Sequence, residues 1–134
     1  MLMEGYDIII SLASNNQQQQ NLAEARRRLG QVLFDLNYTE ELWTEPYSSS
    51  KQGMSAPLYL NQLLYARTNL EVNELNLLLK NMEADMGRTS QLRAQGIVPI
   101  DLDLMQHGKE RYHLTDWQRP YIQQLLDYSS INLR

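Results

Sequence analysis

The sequence predicts an α+β domain in which strands and helices follow one another in the order β-α-β-β-α-β. Two patterns predict these elements: apolar runs that are typical of strands, and apolar residues at spacings of three and four that are typical of helices. A length of 134 residues, 43% of them hydrophobic, suits one folded domain over residues 1–134 with a single core.

The first strand and the first helix are predicted at the start of the chain. Residues 6–13 are rich in isoleucine, and the polar residues 14–16 that follow suit a helix cap. Apolar residues recur at helical spacing over residues 21–29, and Gly30 can end this helix. We interpret its three arginines, at 26–28, as the solvated face of the helix, with a phosphate site as the alternative.

The middle of the chain predicts mostly extended structure. Residues 32–46 suit an extended segment with a bend near Asn37. Residues 48–53 are a polar loop, and residues 57–68 predict a second central strand.

The second helix has the clearest helical pattern. Thr68 or Asn69 is placed to cap it, with Glu71 in position to complete a capping box from Thr68, and Gly87 follows its end. Its apolar stripe consists of Val72, Leu75, Leu78, Leu79, Met82 and Met86. Residues 88–98 then form a loop that is long for a compact domain, which favours a functional role for it.

The strand predicted over residues 99–105 is the most informative segment. Alternation along a strand would turn Ile100, Leu102 and Leu104 to one face and the aspartates Asp101 and Asp103 to the other. The strand rise would hold the two carboxylates roughly 6–7 Å apart. Such like charges repel, and a divalent cation would remove the conflict. The alternative is a polar strand face in contact with water.

A last helix is predicted over residues 120–128. The order of the central elements is that of a ferredoxin-like βαββαβ core, in which helices pack on one face of an antiparallel sheet.

Composition excludes several classes of function. A net charge of −4 disfavours sequence-independent binding to nucleic acid. The absence of cysteine excludes a disulfide scaffold, thiol chemistry and a cysteine-ligated zinc site, and suits a reducing cytoplasm. We expect neither a signal peptide nor a membrane span, because no long apolar run is present.

Six short motifs occur in a fixed order along nearly the whole chain. They are Leu12-Ala13-Ser14-Asn15, Asn21-Leu22, Trp43-Thr44-Glu45-Pro46, Tyr59-Leu60-Asn61, Met82-Glu83-Ala84-Asp85-Met86-Gly87-Arg88 and Asp101-Leu102-Asp103-Leu104, with Gly108 after them. In this order they resemble the hydroxymethyl-dihydropterin pyrophosphokinase family of folate biosynthesis. The resemblance rests on the six motifs together, since none of them is specific alone.

The resemblance implies a ferredoxin-like enzyme that transfers pyrophosphate from ATP to the hydroxymethyl group of 6-hydroxymethyl-7,8-dihydropterin and releases AMP. It implies that Asp101 and Asp103 hold two Mg²⁺ ions and that Arg88 takes part in catalysis with them. Magnesium suits this site because it takes oxygen ligands, commonly one or two carboxylates together with phosphates and water. We expect a cytoplasmic enzyme whose partners are ATP and a reduced pterin. The family resemblance favours a monomer, with a dimer as the alternative.

Further site residues follow from the same resemblance. It assigns Glu83, Arg88 and Arg119 to the nucleotide. It assigns the pterin to Thr44, Pro46, Tyr59, Asn61 and Tyr121. Without the resemblance, Tyr59 and Asn61 would be interpreted as a cross-strand pair, and Glu83 as a surface partner of Lys80 in a salt bridge.

The chain also departs from the family pattern. Ala13 stands where the family has a glycine, so a methyl group can press on a ligand or a neighbouring strand. In the loop at 88–98 Val98 replaces an arginine, and Arg93 is a candidate substitute for a lost cation. The alternatives are therefore a weak or inactive homologue that binds pterin or nucleotide or serves as an interaction module, and a ligand-free interaction domain. The kinase hypothesis requires aspartates that face a cleft and are not neutralised by internal basic partners.

Overall fold

The computed structural model describes residues 5–46 and 56–132, without the side chains of residues 128–132. The polar loop predicted at 48–53 lies outside the described residues. The described strands are β1 (Tyr6–Ser14), β2 (Phe34–Tyr38), β3 (Leu42–Thr44), β4 (Tyr59–Thr68), β5 (Asp101–His107) and β6 (Glu110–Arg111). The described helices are α1 (Gln18–Leu29), α2 (Val72–Asp85), α3 (Ser90–Ala94), α4 (Leu114–Trp117) and α5 (Pro120–Asn132).

The strands form an antiparallel sheet in the order β2-β4-β1-β5-β6, and β3 pairs with the start of β4. The apolar strand β1 lies in the middle, where both of its edges are hydrogen-bonded, to β4 and to β5. The predicted α+β fold with an antiparallel sheet is confirmed.

Each face of the sheet packs against a different set of helices. Ile8, Ile10 and Leu12 of β1 are buried against α1 and α2. This agrees with the predicted core, in which helices pack on one face of the sheet. On the opposite face Ile9 belongs to a second cluster, which contains the buried residues Trp117, Ile122 and Leu125 of α4 and α5. The prediction of helices on a single face is therefore correct only for α1 and α2. The C-terminal helices cover part of the other face because the sheet offers apolar side chains there as well.

The structure confirms the alternation predicted for β5. Ile100, Leu102 and Leu104 are at most 1% exposed and lie in the core beneath the helices α1 and α2. Asp101 and Asp103 face the other side, where they line a cavity.

Several local predictions are wrong. The capping box of α2 joins Glu71 and Glu74, three residues later than predicted, while the Thr68 hydroxyl accepts a hydrogen bond from the backbone of Leu70. Helix α1 is preceded by Gln17 in a left-handed conformation (φ 45°), so the residues at 14–16 do not cap it. Near α1, the side chain of Asn15 is instead bonded to the backbone of Gly96 and Val98.

Of the three arginines of α1, Arg27 is exposed, as the interpretation of a solvated face predicts, whereas Arg26 and Arg28 are partly buried. Arg26 pairs with Glu41 at 3.1 Å, and Arg27 and Arg28 each pair with Glu24 at 2.7 Å. Within the described part of the chain, no helix has both the length and the apolar composition needed to cross a membrane.

Candidate active site

A cavity of about 260 Å³ lies on the face of the sheet opposite α1 and α2, beside α5. Its floor consists of neighbouring residues on β4, β1 and β5. One row across these strands is Asn61, Ala13 and Asp101, and the next is Leu63, Ser11 and Asp103. Because adjacent strands are about 4.8 Å apart, roughly 10 Å separates the backbone of Asn61 from that of Asp101.

The cavity collects all but two of the residues that the sequence predicted. At one end lie Asp101, Asp103 and Arg119. The residues predicted to bind pterin also line it: Thr44, Pro46, Tyr59, Asn61 and Tyr121. Glu83 and Arg88 are absent from the lining, although Arg88 reaches Asp101 from outside it.

Both aspartates face the cavity, and each also has a basic partner. The Oδ1 atom of Asp101 accepts a hydrogen bond from Nη1 of Arg88 at 2.8 Å. The Oδ1 atom of Asp103 lies 3.4 Å from Nζ of Lys80. The side chains remain 35% and 19% exposed, respectively. The condition that the pair face a cleft is therefore met, whereas internal basic partners are present and neutralise the pair in part.

Negative charge is concentrated at this end of the cavity. Burial raises the pKa of Asp103, and the neighbouring charge of Asp101 raises it further against the opposing effects of Lys80 and His113. Burial alone would lower the pKa of Lys80, but the charges of Glu83 and Asp103 raise it overall. The two carboxylates thus keep an unfavourable interaction that their basic partners reduce without removing.

Glu83 lies behind β5, on the side of α2, and is 5% exposed. Its Oε2 atom accepts a hydrogen bond from the backbone N–H of Leu102 at 2.7 Å and contacts Lys80 and Arg88, both at 3.1 Å. The salt bridge to Lys80 that the sequence allowed is present, but the carboxylate is buried rather than at the surface. The i, i+3 spacing of Lys80 and Glu83 on α2 directs both side chains to β5.

Asn61 connects the floor of the cavity to its rim. The side chain is 3% exposed, and its Nδ2 donates to the Leu42 carbonyl at 3.0 Å and to the Thr44 hydroxyl at 2.8 Å. The amide nitrogen is therefore committed to β3, and the amide oxygen is the group that Asn61 can offer to a ligand. Beside it burial raises the pKa of Tyr59, and the charge of Asp101 raises it further, so this phenol stays protonated.

The corner between β6 and α5 brings to the aspartates residues that were not predicted from the sequence. Nε2 of His113 lies 3.8 Å from Oδ1 of Asp103. Asp103, His113 and Asp116 each offer a ligand atom within 4.8 Å of the others, and Asp116 also pairs with Arg119 at 2.8 Å. The spacing of His113 and Asp116 hints at a shared site, but no sequence pattern places them beside a strand ten residues earlier.

The loop at 88–98 is held against the end of β1. Nδ2 of Asn15 donates to the carbonyl of Gly96 at 2.8 Å, and its Oδ1 accepts from the N–H of Val98 at 2.7 Å. This contact explains the asparagine of the first motif, whose role the sequence did not reveal. Arg93 lies exposed on α3 and is not among the residues that line the cavity.

Comparison with known proteins identifies the family to which this fold belongs. The model of the 7,8-dihydro-6-hydroxymethylpterin-pyrophosphokinase family matches residues 9–127. The chain belongs to this family, which confirms the resemblance found in the sequence.

The relatives include larger proteins of folate synthesis. The chain is 32% identical over 126 residues to the mitochondrial folate synthesis bifunctional protein of Pisum sativum, covering 87% of this chain and 24% of that protein. It is 29% identical over 126 residues to a folate synthesis bifunctional protein of Arabidopsis thaliana, covering 87% of this chain and 25% of the relative. The chain thus spans about a quarter of the length of the curated relatives it matches.

Proposed function

We propose that this chain transfers pyrophosphate from ATP to the hydroxymethyl group of 6-hydroxymethyl-7,8-dihydropterin and releases AMP. One observation carries the proposal: a single cavity holds the paired aspartates at one end and the Asn61 amide at the other. The separation of roughly 10 Å across two strand spacings is the span of a bicyclic ring and its attached phosphorus. The site therefore suits a reaction that joins a bicyclic ring such as a pterin to a phosphoryl group.

The end of the cavity around Asn61 would orient the pterin, which receives the pyrophosphate. The amide oxygen of Asn61 can accept a hydrogen bond from an N–H on the edge of the ring, because its nitrogen is held by Thr44 and Leu42. Tyr59 and Tyr121 offer aromatic faces to the flat ring, and Pro46 closes the rim beside them. These contacts would hold the hydroxymethyl oxygen toward the aspartates, which lowers the entropic part of the barrier.

The aspartate end suits divalent cations. Asp101 and Asp103 supply oxygen ligands, and their mutual repulsion favours a bound cation. We propose that these two residues hold two Mg²⁺ ions, in competition with Arg88 and Lys80. When bound with ATP, the ions would neutralise charge on the triphosphate.

Basic residues would position the phosphates. Arg88 and Arg119 lie at this end, and their guanidinium groups can bind phosphate oxygens through paired hydrogen bonds. In the reaction the hydroxymethyl oxygen bonds to the β-phosphorus of ATP and loses its proton. The bond between the β-phosphorus and the oxygen that bridges it to the α-phosphorus breaks, and AMP leaves. Glu83 would affect the nucleotide through Arg88, since it does not line the cavity.

Direct measurement of AMP tests the proposal. The protein is mixed with ATP, Mg²⁺ and the reduced pterin, and AMP is quantified by chromatography. We expect AMP and pyrophosphorylated pterin in equal amounts, and neither when the pterin is omitted or when EDTA is added. The proposal fails if AMP does not exceed the background.

A second candidate is a homologue that binds pterin or nucleotide without efficient transfer. Two observations favour it: the aspartates already have basic partners, and the exposed Arg93 lies outside the cavity. A missing cation near the migrating group can raise the barrier by several kcal/mol, roughly 3–4 in comparable cases. Calorimetric binding of pterin without formation of AMP would establish this candidate, and no binding of either ligand would remove it.

A further inference from the structure

Glu83 links two basic residues that each pair with one of the aspartates. Its Oε2 atom lies 3.1 Å from Nζ of Lys80 and 3.1 Å from Nη1 of Arg88. Lys80 in turn contacts Asp103, and Arg88 contacts Asp101. Each base is therefore shared between the buried Glu83 and one aspartate in the cavity.

Backbone contacts fix this arrangement. The Leu102 N–H that lies between the two aspartates donates to Glu83 at 2.7 Å. Nζ of Lys80 donates to the Leu102 carbonyl at 2.9 Å, and Nη1 of Arg88 contacts the Ile100 carbonyl at 3.3 Å. The network thus holds both bases on the β5 backbone, next to the aspartates.

The charges of this network leave the site negative. Three carboxylates, those of Glu83, Asp101 and Asp103, face the two bases Lys80 and Arg88. Without Glu83 the two bases would balance the two aspartates, and a cation would have to displace both of them. With Glu83 a base that leaves its aspartate still has a buried anionic partner.

We propose that Glu83 is a positioning residue that retains Lys80 and Arg88 when divalent cations bind Asp101 and Asp103. The inference rests on the proposed function in that it assumes cation binding at this pair. Glu83 keeps the bases available for phosphate while leaving the aspartate oxygens to the cation. It therefore acts on the ligand only through these two bases.

Mn²⁺ binding to the metal-free protein tests this role without any turnover. Free Mn²⁺ is followed by electron paramagnetic resonance in titrations of the wild-type, Glu83→Gln and Asp85→Asn proteins. Asp85 is an exposed acid on the same helix, so its variant makes the same charge change away from the site. We expect Glu83→Gln to weaken Mn²⁺ binding at least about tenfold, because it removes a nearby charge, and Asp85→Asn to change it less than about twofold.

A second variant separates this role from simple loss of folding. Lys80→Gln alone should strengthen Mn²⁺ binding, and the double variant Glu83→Gln/Lys80→Gln should return to within about threefold of the wild-type affinity, because the net charge is restored. Thermal melting checks that each variant is folded. A purely structural role for Glu83 would give no such recovery.

Three outcomes overturn the inference: unchanged Mn²⁺ affinity in Glu83→Gln, no recovery in the double variant, and no saturable Mn²⁺ binding by the wild-type protein. The proposed function fails separately. If the wild-type protein binds Mn²⁺ as expected but forms no AMP with the reduced pterin, the pyrophosphokinase proposal is wrong and the role of Glu83 stands.

Discussion

Among single residues, Asp103 combines unfavourable electrostatics with a position in the candidate site. Burial and the charge of Asp101 raise its pKa, so the carboxylate is held in a position that disfavours its charged form. A residue needed only for folding would gain from being neutral. An ionised carboxylate at Asp103 is explained if a bound cation balances its charge.

We expect Asp103→Asn to lower AMP formation at least about a hundredfold and to raise the melting temperature at neutral pH. Because the pKa of Asp103 is raised above its ordinary value of 3.8, the folded protein binds this proton more tightly than the unfolded chain does. The carboxylate therefore lowers stability as pH rises from about 3.8 through the folded-state pKa, and the variant loses this effect. Melting curves at several pH values and the AMP assay provide the two measurements.

Asp127→Asn is the matched control, because Asp127 is exposed on α5. It should change neither AMP formation nor the pH dependence of melting. An Asp103→Asn protein that keeps full activity would contradict the role assigned to the carboxylate.

The Thr44 hydroxyl is expected to act on pterin binding through Asn61. Thr44→Val removes one of the acceptors of the Asn61 amide nitrogen, which should weaken binding of 6-hydroxymethylpterin by about 1 kcal/mol, or roughly fivefold. Calorimetry measures the affinity, and Thr115→Val on the exposed start of α4 is the control. Equal affinities in the wild-type and Thr44→Val proteins would count against this role for Asn61.

The sequence predicts site residues that share one strand, but not those that only the packing of separate elements brings together. Alternation along one strand was enough to place Asp101 and Asp103 on the same face. Their partners Lys80 and Arg88 belong to α2 and the turn after it, so only the packing of α2 on β5 brings them close. No local pattern contains that information, so the basic partners of the aspartates could not be predicted.

Among the elements, α5 gives the cavity its wall. Leu125 and Ile122 are at most 1% exposed between this helix and the sheet, and both also line the cavity. The helix therefore contributes to stability and limits the site at the same time.

We expect Leu125→Ala to lower the free energy of unfolding by about 2–5 kcal/mol, because it leaves a void in a fully buried position. Leu77→Ala on α2 provides the comparison, since Leu77 is 63% exposed, and should change the value by less than about 0.5 kcal/mol. Urea titration followed by circular dichroism measures both. Similar losses in the two variants would show that α5 does not pack as described.

The contact between Asn15 and the loop at 88–98 should limit the motion of that loop. Asn15→Ala removes two hydrogen bonds, so we expect amide exchange at Val98 to accelerate at least about tenfold. Hydrogen exchange detected by mass spectrometry or NMR measures it, with the exposed neighbour Asn16 changed to alanine as the control. Unchanged exchange at Val98 would mean that other contacts hold the loop.

Long elements were predictable and short ones were not. The central strands and both core helices have enough residues for a periodic pattern to appear. The elements α3, α4 and β6 span five, four and two residues, too few for such a pattern. The bend predicted near Asn37 falls inside β2, where the register with β4 shifts between Phe34 and Asn37, and the break between β2 and β3 follows it at residues 39–41.

For the molecule as a whole, the two faces of the sheet differ in what they pack against. One face buries the larger core beneath α1 and α2, and the other combines a smaller core with the cavity. This division lets charged groups lie on a rigid sheet without entering the main core. A monomeric state and a cytoplasmic location remain predictions from the sequence.

We propose that Asp101 and Asp103 bind cations beneath a triphosphate while Asn61 holds the pterin. A crystal structure with Mg²⁺, α,β-methylene-ATP and 6-hydroxymethylpterin would show where each ligand binds. We expect cations on both aspartates, the pterin against Asn61, and Lys80 and Arg88 still in contact with Glu83. Ligands bound elsewhere, with both aspartates still paired only to their basic partners, would contradict it.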